Sequence, residues 1–424
     1  MNTKLLALAL SALALPLGAS AAEGELHLYG TFLPFAENVR TADPTAPGLS
    51  PATGGATQVP GAAYTGIALP QHGRMTSGTS NLGFKGSLEL SEHLKVIWQV
   101  ESAVSPDGDA PNVLAGRNTG VGLSSDYGTA IYGSWDTPYK YPLLFVGALR
   151  GLSPFDNYVT ANPGFNVPGT TTQTGRAGGK ADAAFSRRQG NSVQYWSPTW
   201  QGLSTRLAYS FAEGTTAPTA TTPSIHPSLA SALVTYENGP LGVRAAFERH
   251  DDYFGLAQLG GSAAATATNP GSRDDGAELV AWYSFPTGTK LSAIYERLSY
   301  RTAEKTNGQV NGYRRDSWYL LAQQRLGAHQ LWGSYGQADA GSCAVAGGGA
   351  CTVKGLGATQ WSIGYSYSLA KSADLFAAYY EMGNQRSAAY AVFPSPGTVA
   401  PGATTRGFGL GFLYTFDASW KLSL

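Results

Sequence analysis

Residues 95–101 read KVIWQVE, and their side chains alternate between apolar and polar. Three apolar side chains, Val96, Trp98 and Val100, fall on one face of an extended chain, and the polar ones fall mainly on the other. A period of two residues indicates a β-strand with one apolar and one polar face. The stretch therefore predicts a sheet whose two faces lie in different environments.

Segments of this kind recur from this stretch to both ends of the chain. They are rich in Tyr, Phe, Trp, Val and Thr, the residues that favour strands. We count sixteen of them in the sequence. They lie near residues 25–35, 80–90, 94–102, 117–124, 128–135, 187–197, 203–211, 228–238, 241–251, 274–284, 289–300, 313–325, 329–337, 359–368, 373–381 and 406–416.

The connections between these segments alternate strictly between short and long. The short ones are rich in Gly, Pro, Asn, Asp and Ser, as tight turns require. The long ones lie near residues 36–79, 103–116, 136–186, 212–227, 252–273, 301–312, 338–358 and 382–405. Connection lengths scatter in a β-sandwich, whereas a membrane barrel has short turns at one rim and long loops at the other. We therefore predict an all-β fold, a 16-stranded antiparallel transmembrane β-barrel with short periplasmic turns and long extracellular loops.

The first residues have the features of an export signal. Lys4 precedes an apolar run over residues 5–16, and small residues close the run at 18–22. This arrangement predicts a cleaved signal peptide over residues 1–21 and a mature chain over residues 22–424. The alternative is a transmembrane anchor, which needs a longer run to cross about 30 Å of hydrocarbon as a helix.

Composition excludes several classes of protein. Charged residues make up 13% of the chain and aromatic residues 11%, which is the opposite of a disordered composition. Lys+Arg and Asp+Glu both number 28, and the sequence has no basic block, which argues against a nucleic-acid partner. After residue 21 no apolar run approaches the length of a membrane-spanning helix, so a membrane chain must close a barrel.

The cysteines and histidines give no sign of catalysis. Cys343 and Cys351 flank a glycine-rich stretch, and such a close pair predicts a disulfide in an oxidising compartment. No His or acid lies between them, and the 6 histidines are scattered, so we expect no metal site and no cofactor. The sequence has no nucleophile elbow, phosphate loop or zinc-protease motif, so we predict that the chain is not an enzyme.

Four short motifs resemble the Gram-negative trimeric porins, especially the beta-proteobacterial and neisserial branch. They are LYG at 28–30, SNLGFKG at 80–86, VGLSSDYG at 121–128 and NSVQY at 191–195. The resemblance covers the mature chain in outline and is strongest over residues 80–211. It implies a homotrimer among outer-membrane lipids, whose water-filled pore passes small hydrophilic solutes and ions by passive diffusion.

The resemblance also implies a constriction built by the third long connection, about residues 136–186. This loop would fold into the barrel, with Asp156 near its tip as the acidic side of the pore. On the basic side, the resemblance implies Arg117, Arg187 and Arg188 on the opposing wall. Side-chain alternation adds Lys85 and Lys95 on the lumen face. Two alternatives stay open. The loop could lie outside as a lid, and the basic groups could be salt-bridged or sit at the rim without influence on flux.

The sequence departs from the family pattern in two respects. Asn81 and Ser134 stand where the family often has arginine, so we expect a weaker anion preference than in strongly basic relatives. Residues 417–424 follow the predicted last strand, and they either extend it or form a C-terminal tail. Two other functions stay open, a substrate-selective channel for a sugar or an anion and a secreted carbohydrate-binding β-protein.

Overall fold

The computed structural model describes residues 23–46, 57–58, 66–108, 113–149, 151, 153–161, 184–211, 217–218, 224–258, 271–303 and 305–423. The predicted signal peptide, residues 1–21, lies outside these ranges. Within them, no helix combines the length and the apolar character needed to cross a membrane.

Sixteen strands form one closed antiparallel barrel, which confirms the predicted fold. Every strand pairs with the strands before and after it in the chain. The first two strands are each interrupted once. The strands are β1 (Glu23–Phe32 and Phe35–Ala42), β2 (Leu69–Thr76 and Asn81–Ser91), β3 (Leu94–Ala103), β4 (Thr119–Ser125), β5 (Gly128–Asp136), β6 (Arg188–Trp196), β7 (Leu203–Ser210), β8 (Ser228–Asn238), β9 (Leu241–Asp251), β10 (Ser272–Ser284), β11 (Thr289–Thr302), β12 (Val310–Leu326), β13 (His329–Ala338), β14 (Ala358–Ala370), β15 (Ala373–Asn384) and β16 (Thr404–Ser423).

The barrel closes where β1 meets β16. Their antiparallel ladder runs from Glu23 opposite Ser423 to Ala42 opposite Thr404. Residues 417–423 are therefore the end of the last strand and not a tail. This ladder gives both edge strands a hydrogen-bonding partner, which hydrocarbon cannot supply.

β1 and β2 extend further toward the long-loop rim than the sequence predicts. Both strands are interrupted at the same height, at Leu33-Pro34 in β1 and at residues 77–80 in β2. Proline has no backbone N–H for the ladder. The Leu33 backbone N–H instead donates to the Ser80 hydroxyl at 2.9 Å, and Phe412 N–H donates to the Pro34 carbonyl at 3.1 Å. These bonds replace the missing ladder bonds, so the first long loop is shorter than predicted and spans residues 43–68.

The two faces of the barrel have opposite character. On the outside, long apolar side chains are exposed, with Val121 at 52%, Leu320 at 52% and Ile363 at 59%. The inward neighbours of two of them, Tyr319 and Ser362, are 0% and 2% exposed. A water-soluble monomer rarely exposes such a continuous apolar surface, whereas a lipid-facing barrel wall requires one.

The loop between β13 and β14 carries the predicted disulfide. Cys343 and Cys351 are bonded, with their Cα atoms 5.8 Å apart. A short strand, Ser342–Val345, pairs with the start of β12. The cross-link therefore lies in a long loop, away from the seam that closes the barrel.

Ending the chain after Phe416 removes the partners of Glu23 to Tyr29 in the seam. One edge of the barrel would then have unpaired backbone groups in lipid. We expect the truncated chain to fail to form the folded band that migrates differently on gels before and after heating. The control is the double variant Cys343→Ser/Cys351→Ser, which should fold with the yield of the parent. A truncated chain that folds equally well contradicts the seam.

Candidate functional site: the barrel interior

The third long loop connects β5 to β6, and its described parts lie inside the barrel. The Tyr139 hydroxyl donates to Glu296 on β11 at 3.0 Å, and the Val159 N–H donates to Gln360 on β14 at 2.7 Å. Both acceptors are buried, whereas Tyr295, the outward neighbour of Glu296, is 43% exposed. The loop therefore crosses the lumen to the far wall, and the prediction that it folds inward is confirmed.

Aromatic packing holds this loop against the wall near the seam. The Phe155 ring lies 5.2 Å from Phe35, 5.6 Å from Phe376 and 5.5 Å from Tyr380, measured between ring centroids. Phe155 and Leu143 are completely buried, as packing against the wall requires. Phe145 on the same loop is 48% exposed, so this ring faces the open lumen.

Asp156 does not lie where the sequence placed it. Its side chain is 0% exposed and accepts hydrogen bonds from Ala148 N–H and the Ser153 hydroxyl, both at 2.7 Å. A loop turned inward leaves backbone N–H groups without strand partners, and a carboxylate can satisfy them. In the structure this carboxylate holds the loop together and does not contact the lumen.

Two of the predicted wall arginines are neutralised by buried acids. Arg117 forms an ion pair with Glu101, which also accepts a hydrogen bond from Tyr29 at 3.0 Å. Arg188 contacts Asp136 at 3.1 Å. These pairs keep each guanidinium on the inner wall but cancel most of its field in the lumen.

The Asp136 carboxylate also anchors the root of the loop. Lys140 contacts it at 2.8 Å, so that two cations share one acid. Burial lowers the pKa of Lys140 to about 8, an effect that the nearby Asp136 charge opposes. The amine is therefore charged at neutral pH and begins to lose its proton in mildly alkaline solution.

The other predicted basic residues also contact acids or an aromatic ring. Lys85 contacts Asp417 at 2.8 Å and Lys95 contacts Glu89 at 2.7 Å, and both lysines are half-exposed. Arg187 is buried, with its guanidinium 5.1 Å from the Tyr253 ring centroid. In the structure, four of the predicted basic residues are therefore salt-bridged, as the alternative interpretation had it: Arg117, Arg188, Lys85 and Lys95.

Three cations that the sequence reasoning missed lie on the inner wall of β7, β9 and β11. We call Arg206, Arg244 and Lys290 the cationic strip. The one acid that contacts the strip in the described part of the chain is Glu237, 2.7 Å from Arg244. Side-chain alternation could have found these residues, because Arg206 lies between the outward-facing Thr205 and Leu207.

Aromatic rings hold the cationic strip in place. The Arg206 guanidinium lies 3.7 Å from the Tyr141 ring centroid and 4.8 Å from that of Trp196. Arg244 lies 4.5 Å from Phe145. Rings attract cations through their quadrupoles without cancelling the net charge, as a carboxylate would. The strip therefore contributes more positive potential to the lumen than the paired residues do.

Open space lies beside the strip. A cavity of about 250 Å³ is lined by Lys85, Gln99, Trp135 and Trp196, among other residues. Trp196 contacts both this cavity and the Arg206 guanidinium. The interior thus has acid–base pairs on β1–β6 and β16, whereas on β7 and β11 the cations Arg206 and Lys290 contact aromatic rings.

Comparison with known proteins gives a family match over most of the chain. The family model described as Gram-negative porin matches residues 7–387. The major outer membrane protein P.IA of Neisseria meningitidis serogroup A is 32% identical over 158 residues, which cover 37% of each chain. Outer membrane porin protein 32 of Delftia acidovorans is 26% identical over 249 residues, 57% of this chain and 62% of the relative. The aligned regions therefore span about one third to three fifths of these relatives.

Solved structures show the same fold. The anion-selective porin from Comamonas acidovorans superposes with a TM-score of 0.66 at 18% identity, covering 93% of this chain and 100% of that one. The trimer form of OmpT from Vibrio cholerae gives a TM-score of 0.57 at 15% identity, covering 93% and 99%. At these identities, the likeness extends to the fold alone.

Replacing Asp156 with Ala separates its two possible roles. The loop would lose two hydrogen bonds to a buried carboxylate, at a cost of about 1–3 kcal/mol. We expect faster proteolysis within the loop and noisier single-channel currents, with a nearly unchanged reversal potential. The control Ser153→Ala removes one of these bonds and leaves the charge in place. A large shift in reversal potential with unchanged proteolysis would instead support the acid of a constriction.

Proposed function

The chain belongs to the Gram-negative porin family of the outer membrane, and from this we propose that it forms a water-filled channel for passive diffusion. The solutes are small hydrophilic molecules and ions. Transport needs no energy source and no cofactor, and we propose no enzymatic reaction.

The observation that supports this function most directly is the contrast between the two faces of a closed wall. The outside is apolar and exposed, as at Ile363, while the inside carries ionised groups such as Lys85 and Asp417, each about two-fifths exposed. Charged groups inside a barrel need water, so the lumen is hydrated. The inward loop narrows this lumen, and its ring Phe145 faces the opening.

The cationic strip supports a modest preference for anions. Four of the five predicted basic residues are paired with acids, whereas Arg206 and Lys290 contact aromatic rings. Rings of charged side chains at a constriction determine which ions a channel prefers. The neutral Asn81 on β2 adds no charge, in keeping with a weaker preference than in strongly basic relatives.

Homotrimeric assembly is part of the proposal. The Vibrio cholerae OmpT structure with the same fold is a trimer form. The strands beside the β1–β16 seam carry outward-facing apolar residues such as Phe408 and Leu410, which could pack against a neighbouring subunit. Cross-linking of the folded protein followed by mass measurement tests this assembly.

A selective channel for small anions is the second candidate. The Trp135 and Trp196 rings lie 5.3 Å apart at the cavity, next to Arg206. Such a pair could stack a flat solute while the guanidinium binds its charge. A current that saturates with one anion would favour this candidate over a general pore.

The apolar outer wall argues against the remaining alternative, that the chain is a secreted carbohydrate-binding β-protein.

A water-filled pore of this kind should have a size limit for neutral solutes. In planar bilayers, the purified protein should give stepwise ion currents, and only neutral sugars that are small enough to enter the lumen should change them. Small sugars should enter and reduce the conductance, and large ones should leave it unchanged. Protein that inserts but carries no current contradicts the proposed channel.

Loss of one cation from the cationic strip should change the ion preference of the channel. The variant Arg206→Gln should lower the anion-to-cation permeability ratio about fivefold, because a unit charge at ~8 Å in water stabilises an anion by about 0.5 kcal/mol and destabilises a cation by the same amount. The matched control is Lys95→Gln, which removes a lumen cation already paired with Glu89 and should change the ratio less. An equal effect of both variants would show that the strip has no special role.

A further inference from the structure

A second group of arginines lies on the outside of the barrel, at the long-loop ends of β9–β12. Arg297 belongs to the outward face of β11, because it alternates with the buried Glu296 and Leu298. The group comprises Arg249, Arg273, Arg297, Arg301 and Arg314, and we call it the outer arginine patch. Four of its side chains are 34–55% exposed. These residues take no part in the lumen.

Three guanidiniums of the patch converge on one carboxylate. Asp275 accepts from Arg249 at 2.8 Å, from Arg273 at 3.0 Å and from Arg301 at 2.7 Å. One carboxylate compensates one of these three charges. Each arginine has five N–H donors, so most of the donors remain available to an anion beside the wall.

The rest of the patch keeps the positive excess. Arg297 binds Asp316 through two bonds of 2.7 and 2.8 Å, a bidentate pair. Arg314 is exposed and pairs in register with Ser299, between Arg297 and Arg301 on the next strand. The outward face here carries five arginines against the three aspartates Asp251, Asp275 and Asp316.

The height of the patch matches the boundary of the membrane. Below it, β9 presents a purely apolar outer face from Leu241 to Phe247, and β11 presents Leu291 and then Tyr295. Aromatic side chains mark the interfacial layers of a barrel wall. The patch begins two residues above Phe247 and Tyr295, about 7 Å further along each strand at the usual rise. Its guanidiniums therefore lie at the level of lipid headgroups.

We infer that the outer arginine patch binds the phosphate groups of lipids in the membrane leaflet next to the long loops. Guanidinium groups bind phosphate oxygens through paired, charge-assisted hydrogen bonds. The patch on β9–β12 lies across the barrel from the β1–β16 seam, so it faces lipid when the seam side contacts a neighbouring subunit. The inference uses the outer-membrane location and is independent of the conduction mechanism.

The test uses native mass spectrometry of the full-length folded protein in detergent. The probes are bis-phosphorylated lipid A, the same lipid without its phosphates, and inorganic phosphate. The double variant Arg273→Gln/Arg301→Gln should bind the phosphorylated lipid at least about tenfold more weakly than the parent, because it loses two charged donors. Binding of the dephosphorylated lipid should be weak and equal for both proteins. Single-channel conductance should not change, which separates this test from the proposed channel function.

Two further variants keep the test decisive. Arg314→Gln removes an exposed charge of the patch without touching the Asp275 cluster, and it should weaken binding of the phosphorylated lipid severalfold. Arg325→Gln changes an exposed arginine at the short-turn end of β12, on the lumen-facing side and away from the patch, and this control variant should bind the phosphorylated lipid like the parent. Three results would each overturn the inference: equal lipid binding by all variants, equally tight binding of dephosphorylated lipid, or displacement of the lipid by inorganic phosphate at equal concentration.

Discussion

The structure depends on one constraint, that backbone N–H and C=O groups inside hydrocarbon must all find partners within the protein. A sheet satisfies this only when its first and last strands meet. Here the last strand reaches back to the start of the first, so that Glu23 pairs with Ser423. The polar character of residues 417–423 obscures this in the sequence. These residues must form a strand because they complete the hydrogen-bond ladder between β1 and β16.

Closure also sets the chemistry of the interior. Every second side chain of the wall points into the lumen, whose polar lining requires water. The third loop fills part of this lumen. The inner wall holds its cations in two ways. Lys85, Arg117 and Arg188 have carboxylate partners, whereas Arg206 lies between aromatic rings. The second arrangement fixes a guanidinium in position and leaves its charge available to a passing ion.

Side-chain periodicity predicted all sixteen strands, because the wall separates lipid from water along most of its height. It failed at the ends of β1 and β2, where the apolar–polar contrast between the faces fades. At Phe35–Ala42 the buried side mixes apolar and polar residues, and the outward side is partly polar. The sequence could not show that Asp156 accepts bonds from its own loop, since this contact depends on the loop's path. It could have shown Arg206, which has a lumen position by simple alternation. Family resemblance directed attention to Arg117 and Arg188 instead, and resemblance does not reveal that an acid neutralises each of them.

The most direct measurement of closure is a disulfide cross-link across the seam. Leu28 and Ala418 are register partners on β1 and β16. The double variant Leu28→Cys/Ala418→Cys, folded in liposomes and exposed to a mild oxidant, should cross-link rapidly and within one chain. A shift by one residue, Leu28→Cys/Ser419→Cys, should not, because adjacent side chains point to opposite faces. Folded protein in which the two introduced cysteines of the in-register variant stay reduced under the same conditions would contradict a closed barrel.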